Sequence, residues 1–439
     1  MTPVDTNQSM KKVIISCMIG NALEWYDFVI YGYFSVIIGK LFFPSADPIA
    51  QLVATLGVFW VGFIARPLGA ILFGHIGDKV SRKAALTISI YVMAIPTALI
   101  GCLPTYEYIG AWGGFLLMIL RVFQGLAIGG EFTGSMVFMV EHAPAEKRGL
   151  AGSWATCSLV IGVIIGSAVA TIFTTLLTQE QLELWGWRVP FILSIFGSLI
   201  GTYMRKNLSD PVAYIDAKRK RKAQSTPLKD LILCHKSKLL LVVLVDFLTA
   251  VGFFMLVIFL TTYFKTFLHL SDRRSLFINT VNMLVFCLVI PIGGWLSDKY
   301  GRRALLAYPC LGFMVLSYPL FGLIQHGSYG ALMAQMIMVI MMGLFFGTIP
   351  ATLSEIFPTQ VRFSGLSVAH NISMAVFGGG IPLIATKLIH FTGDLASPAY
   401  LLIVAAALSL LSVPFLSGGK KEEFSELELS PAEAQDALA

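Results

Sequence analysis

This sequence is short of charge. Asp, Glu, Lys and Arg together make up 13% of its 439 residues, about half the roughly 25% of soluble globular domains. That scarcity excludes a chain bathed in water on every face. Metal and disulfide patterns are missing too. The six cysteines (Cys17, Cys102, Cys157, Cys234, Cys287 and Cys310) are scattered, with no CxxC and no ligand spacing, so neither a zinc site nor a disulfide scaffold is indicated. They read as small buried hydrophobes. HExxH, GxSxG, Walker and Ser/His/Asp sets are absent, and no soluble segment exists to hold them, which sets an enzyme or a non-transporting receptor aside. The net charge of +6 points to no nucleic-acid partner, because membrane topology accounts for the basic residues.

What the chain has in abundance is apolar sequence. Hydrophobic residues reach 56% and mean hydropathy is +0.78. Runs long enough to cross a bilayer, roughly 17 to 25 residues, recur at 13–42, 49–74, 84–103, 112–141, 151–178, 188–205, 238–267, 275–297, 304–325, 329–356, 363–390 and 397–416. The first follows MTPVDTNQSMKK and is too long for a cleavable leader, so an uncleaved first span is expected. A basic polar stretch, 206–237, separates six spans from six. Twelve transmembrane helices in an all-α membrane protein are therefore expected. The divisions are a first bundle over 1–205, a link over 206–237, a second bundle over 238–416 and a short acidic tail over 417–439.

Orientation follows from Lys and Arg, which gather on the cytoplasmic side of membrane proteins. With both termini in the cytoplasm, 23 of the 31 basic residues fall on that side and 6 on the other. An internal repeat supports the division. GHIGDKVSRKAAL (74–86) matches GWLSDKYGRRALL (294–306), and EHAPAEKRG (141–149) matches EIFPTQVRF (355–363). Two halves related by a repeat suit a transporter whose site lies between them near the midplane.

The doubled loop resembles the signature of the major facilitator superfamily, Gly-x-x-x-Asp-(Arg/Lys)-x-Gly-(Arg/Lys)-(Arg/Lys), with Ser81 in place of the usual glycine in the first copy. Within that superfamily the chain is similar to the metabolite:proton symporters. The segments that carry the likeness are EWYDF (24–28), ARPLG (65–69), RVFQGLAIGGEF (121–132) and PTQVRFSG (358–365). The resemblance implies two pseudo-symmetric six-helix bundles working as a monomer in the inner membrane. It also implies proton-coupled uptake of proline or betaine-type osmolytes, other amino acids, or organic acids. The tail, KKEEFSELELSPAEAQDALA, lacks the heptads of the osmosensory members, so osmosensing is not expected.

Charges inside the membrane carry the functional reading. A carboxylate at bilayer depth costs roughly 2.5 to 3.5 kcal/mol even on lenient scales, yet the first span holds Glu24 and Asp27. Asn21, Glu24, Phe28, Tyr31 and Ser35 form one helical face with Asp27 beside it. In the fourth span Arg121, Gln124, Ile128, Glu131 and Ser135 share a face, with glycines between them for close helix approach. Such stripes must face the bundle interior or a cavity. Arg66 in the second span is read as structural. Spans ten and eleven add Thr348, Thr352, His370 and Asn371.

These residues divide by expected role. Glu24, Asp27 and Glu131 are the proton-carrying candidates, because burial and repulsion between neighbouring acids favour uptake of a proton. No other cofactor is expected. Asp27 ranks first, since Glu131 has Arg121 as its expected partner; that pairing is either a balance of the site or a fixed brace between helices. Arg121 is expected to bind a substrate carboxylate through its planar fork, beside Gln124. The aromatics Trp25, Tyr31, Trp60 and Phe253 are expected to face the ligand's cationic or apolar end. Asp246, His370 and Asn371 are candidates for the same cavity. Asp246 opens the seventh span, where solvation at a membrane face is the competing reading, and His370 serves packing equally well. Asp78, Arg82, Glu141, Asp298, Arg302 and Glu355 are expected to form a gate, with Arg82 pairing Glu141 and Arg302 pairing Glu355. The mixed charge of the interior favours a zwitterionic small molecule over a di- or tricarboxylate. The lack of proline in span five counts against an antiporter.

Overall fold

The computed structural model describes residues 10–45, 48–206, 208–211, 214–215, 231 and 235–416. Most of the link, with Cys234, and the whole 417–439 tail lie outside the described residues. The chain is helical because a backbone in lipid has no water to bond and must satisfy itself within each segment. The elements are α1 (Met10–Tyr33, continued past Phe34 by Ser35–Phe42), α2 (Pro48–Lys79), α3 (Arg82–Cys102), α4 (Ala111–His142), α5 (Ala145–Leu176) and α6 (Gln179–Arg205). The second set comprises α7 (Lys236–Thr266), α8 (Asp272–Tyr300), α9 (Arg302–Ile324), α10 (Ser328–Ile356), α11 (Arg362–Thr392) and α12 (Ala399–Phe415). Eleven of these are long and apolar enough to span; α12 is shorter.

The two sets pack by the same rule. A Cβ at Gly125 of α4 would lie 2.0 Å from the carbonyl oxygen of Gly62 in α2. In α10 a Cβ at Gly347 would lie 2.0 Å from the carbonyl oxygen of Ile290 in α8. No side chain fits either space, so glycine lets the helix backbones touch, as membrane packing without a hydrophobic drive requires. Helices two and four thus meet as eight and ten do, which is the pseudo-symmetry of the repeat made physical.

The sets meet each other along two seams, α5 against α8 and α10, and α11 against α2 and α4. The signature loops sit at one end of both seams. Their one mismatch has a backbone cause. Gly301 adopts φ +93°, a region that favours glycine, whereas Ser81 is extended at φ −169° and its hydroxyl caps α3 by accepting from Ala84 N at 3.0 Å. The first described residues of the link dock on this loop: Asp210 accepts from Lys83 N at 2.9 Å and the Tyr214 ring lies 4.7 Å from the Arg82 guanidinium.

Candidate functional site

At the signature-loop face, two matching clusters tie the halves together. In the first, Arg82 binds Asp78 and reaches Glu141 Oε1 at 3.2 Å and the Thr359 carbonyl at 3.0 Å. In the second, Arg302 lies 2.7 Å from Asp298 and 3.1 Å from Glu355. Each aspartate also caps a helix of the opposite half. Asp78 accepts from Ser364 N at 2.7 Å and Phe363 N at 3.3 Å, at the start of α11. Asp298 accepts from Gly149 N at 2.7 Å and Leu150 N at 2.8 Å, in the first turn of the Arg148–Leu176 helix of α5. A helix N-terminus offers unsatisfied N–H groups and partial positive charge, so these caps close this face of the molecule. Arg362, not singled out by sequence, adds a bond to Glu141 at 3.0 Å. The second repeat pair, which aligns Arg362 with Arg148, was the available signal.

The expected Arg121–Glu131 pairing is not formed. Glu131 is instead held by Arg205 of α6 in a buried ion pair, and accepts from the Ser89 hydroxyl of α3 at 2.5 Å. Ten residues along a helix are about 15 Å of rise, too far for these side chains to meet. Arg205 escaped notice because it ends its span beside Lys206 and reads as a topogenic charge. A Cβ at Gly20 would fall 1.9 Å from Arg205 Nη2 and 2.6 Å from Glu131 Oε1, so only glycine leaves room for the pair.

Glu24, Asp27 and Glu131 line one small pocket among α1, α3, α4 and α6, with Ser89 and Ser198. Asp27 Oδ2 accepts from Ser194 Oγ at 2.8 Å, while its Oδ1 and both Glu24 oxygens have no hydrogen-bond partner among the described residues. Asn21 of the α1 stripe is spent on packing: it donates to Ser158 at 3.2 Å and accepts from Ser135 at 2.9 Å.

Arg121 sits apart from that pocket. Its guanidinium carbon lies 4.4 Å from the Tyr31 ring centre, 4.6 Å from Phe28 and 4.9 Å from Phe59. Nη1 donates to Gln124 Oε1 at 2.7 Å, and Gln124 donates on to Thr97 at 2.6 Å. The Tyr31 hydroxyl is anchored to the Thr55 carbonyl at 3.1 Å. Arg121 Nε and Nη2 are buried with no hydrogen-bond partner among the described residues. These two nitrogens form the side-on edge that accepts a carboxylate bidentately.

An aromatic layer continues from this cage across the halves. Trp25 meets Phe28 at 6.1 Å and Phe253 at 5.6 Å, and Phe253 stacks on Phe346 at 6.0 Å. Trp60 does not join it; the residue is 54% exposed and lies beside Gly379 of α11. One residue is about 100° of helical turn, so with Phe59 and Phe63 packed inward, as their ring contacts show, Trp60 points away.

In the second half, Asp246 is shut off from solvent. It is fully buried at a turn in α7, 2.8 Å from His370 Nδ1. Asn371 is consumed by protein bonds: it accepts from Arg66 Nε at 3.1 Å and donates to the Gly129 carbonyl at 2.9 Å. Thr348 and Thr352 donate to their own helix, at 2.9 Å each, and so offer no donor to a ligand.

The sequence profile of the Major Facilitator Superfamily matches residues 17–382. The proline/betaine transporter of Salmonella typhimurium (strain LT2) is 35% identical over 92% of this chain and 82% of that protein. The glycine betaine/proline/ectoine/pipecolic acid transporter OusA of Dickeya dadantii is 34% identical, over 93% and 83%. Among solved structures, the proton:xylose symporter XylE bound to 6-bromo-6-deoxy-D-glucose superposes with a TM-score of 0.80 at 17% identity, covering 95% of this chain and 98% of that one. The Escherichia coli fucose:proton symporter FucP gives 0.68 at 17% identity, over 94% and 100%. Twelve helices among the described residues in two like-packed sets, a doubled signature loop that bonds across them, and these matches agree: the chain is a multi-pass membrane transporter and belongs to the Major Facilitator Superfamily.

Proposed function

We propose that this chain is a proton-coupled symporter of a small zwitterionic osmolyte of the proline or betaine type, working by alternating access. One observation carries the reading. The bidentate edge of Arg121 is free, buried and walled by aromatic rings, a setting suited to a carboxylate whose cationic end lies against π-faces. The names of the relatives, proline/betaine and glycine betaine transporters, support the same substrate class. The buried charges also weigh against an organic di- or triacid. Arg66, Arg121 and Arg205 stand among Glu24, Asp27, Glu131 and Asp246, which leaves no cationic surplus for a second substrate carboxylate.

In this reading Arg121, Gln124, Tyr31, Trp25 and Phe253 receive the substrate, and the Glu24–Asp27–Glu131 pocket carries the proton. Within the pocket Glu131 is already neutralised by Arg205, whereas Asp27 and Glu24 keep open oxygens, so Asp27 is assigned the proton with Glu24 as its neighbour. The two signature-loop clusters form the gate on the cytoplasmic side. The chain is assigned to the inner membrane as a monomer with both termini in the cytoplasm. Residues 1–205 and 238–416 are the two rocking units, 206–237 their link and 417–439 the tail.

The test is uptake into proteoliposomes. An inward proton gradient should drive accumulation of labelled proline or glycine betaine, and excess succinate or citrate should not compete. Asp27→Asn should lose accumulation while keeping counterflow exchange. Gradient-driven uptake of the diacid, with no response to proline or betaine, would overturn the substrate class.

A further inference from the structure

The pair formed by His370 and Asp246 has no part in the substrate site proposed above. Both side chains are fully buried and joined at 2.8 Å, yet each keeps a second polar atom, His370 Nε2 and Asp246 Oδ1, with no hydrogen-bond partner among the described residues. A buried polar atom without a partner is costly, and two in one pair ask for a reason. The helices that carry them are irregular here. α7 turns at Asp246 and is π-helical over Phe254–Phe259, and α11 is π-helical over Met374–Gly378. Such departures recur at functional sites.

The charge facing the pair comes from the other half. Arg66 of α2 feels the charge of both Asp246 and Glu24, and its Nε donates to Asn371, the residue after His370. The Phe132 ring of α4 covers His370 at 5.4 Å, and Ser409 of α12 is bonded to the α7 backbone on either side of Asp246. The remaining charges of α4 and α10 are committed elsewhere: Arg121 to its aromatic cage, Glu131 to Arg205, Glu141 and Glu355 to the latches. α12 carries no charged residue.

We propose that His370 and Asp246 form a second proton-binding site of the carrier, and that Arg66 ties its occupancy to contact between the halves. A histidine–carboxylate pair with one open atom on each member can take a proton while keeping its internal bond. Asn371, the next residue, grips Arg66 Nε and the Gly129 carbonyl, so the turn of α11 that holds His370 is itself fastened to α2 and α4. When that seam parts, Arg66 leaves Asn371 and Asp246 together, and the positive charge it supplied is open to replacement by a proton. This rests on the symport reading above.

The test is the proton-to-substrate ratio, from reversal potentials in proteoliposomes with labelled proline or glycine betaine. The expected ratio in the unaltered protein is two. His370→Asn, which keeps a donor for Asp246 but cannot titrate, and Asp246→Asn should each lower it to one. If a single variant fails to fold, the double variant His370→Asn/Asp246→Asn keeps a neutral hydrogen-bonded pair and gives the same readout. A ratio of one in the unaltered protein that vanishes in Asp27→Asn overturns this second site and leaves the symport reading intact. A ratio of two that survives the double variant overturns it too. A ratio of zero overturns the symport reading itself.

Discussion

Arg205, at the end of α6, holds Glu131 of α4 in a buried ion pair, and Arg121, ten residues back along α4, is thereby left with an open edge. Two arginines thus divide two tasks. One neutralises an acid inside the first bundle, and the other sits in an aromatic cage, bonded to Gln124 through Nη1, with Nε and Nη2 left open. Arg121→Lys keeps the charge and loses the planar fork. Substrate affinity should fall at least tenfold, about 1.4 kcal/mol, with the melting temperature little changed. Unchanged affinity in equilibrium binding would reassign Arg121 to helix packing.

Glu131→Gln should act on stability as well as transport. Removing one partner of a buried pair leaves the other charge uncompensated, at a cost of about 3–5 kcal/mol. The expected result is a clearly lower melting temperature with binding and uptake impaired together. The double variant Glu131→Gln/Arg205→Met should recover much of the stability, because no charge is then left alone. A double variant no more stable than the single would show that the pair is not what holds these helices.

Much of the fold could be read from the sequence, and the site only in pieces. Span positions follow from runs of apolar residues and the doubling from the repeat, both of which are local signals. Arg205 was obscured because a basic residue at a span end looks like a topological anchor. The His370–Asp246 bond joins residues 124 positions apart, and no spacing announces a contact between α7 and α11. Trp60 was misplaced by one residue, since alternating aromatics (Phe59, Trp60, Phe63) do not say which face turns inward. For the signature loops the motif pairs arginine with glutamate, but the helix caps made by Asp78 and Asp298 use backbone donors, which have no residue identity to read.

Cys157 of α5 and Cys287 of α8 provide a probe of the seam. Their sulfurs lie 3.3 Å apart across the two halves, close enough to join with a small shift. Oxidation by copper phenanthroline, which removes two electrons and two protons from the thiol pair, should form an interhalf disulfide. Uptake should then fall and return on addition of dithiothreitol, and Cys157→Ser should be insensitive. Full uptake with the disulfide formed would show that the halves can exchange states without parting here.

The caps make a prediction that reaches across the molecule. Asp78 lies in the first half, but the amides it accepts, Phe363 and Ser364, lie in the second; Asp298 lies in the second and accepts Gly149 and Leu150 of the first. Loss of a side-chain cap costs roughly 0.5–2 kcal/mol, and a carboxylate at a helix N-terminus adds a charge–dipole contribution of similar size. Hydrogen exchange should therefore quicken about ten-fold at residues 363–364 in Asp78→Ala and at residues 149–150 in Asp298→Ala, each site responding only to its own variant. The crossed pattern distinguishes a latch from general loosening. If each substitution loosens only its own half, the aspartates do not bridge the seam, and closure of this face rests on the Arg362–Glu141 pair and the bond from Arg82 to the Thr359 carbonyl. If both first turns loosen in both variants, the crossed expectation fails, and the loss reflects general loosening of this face and not the removal of one cap.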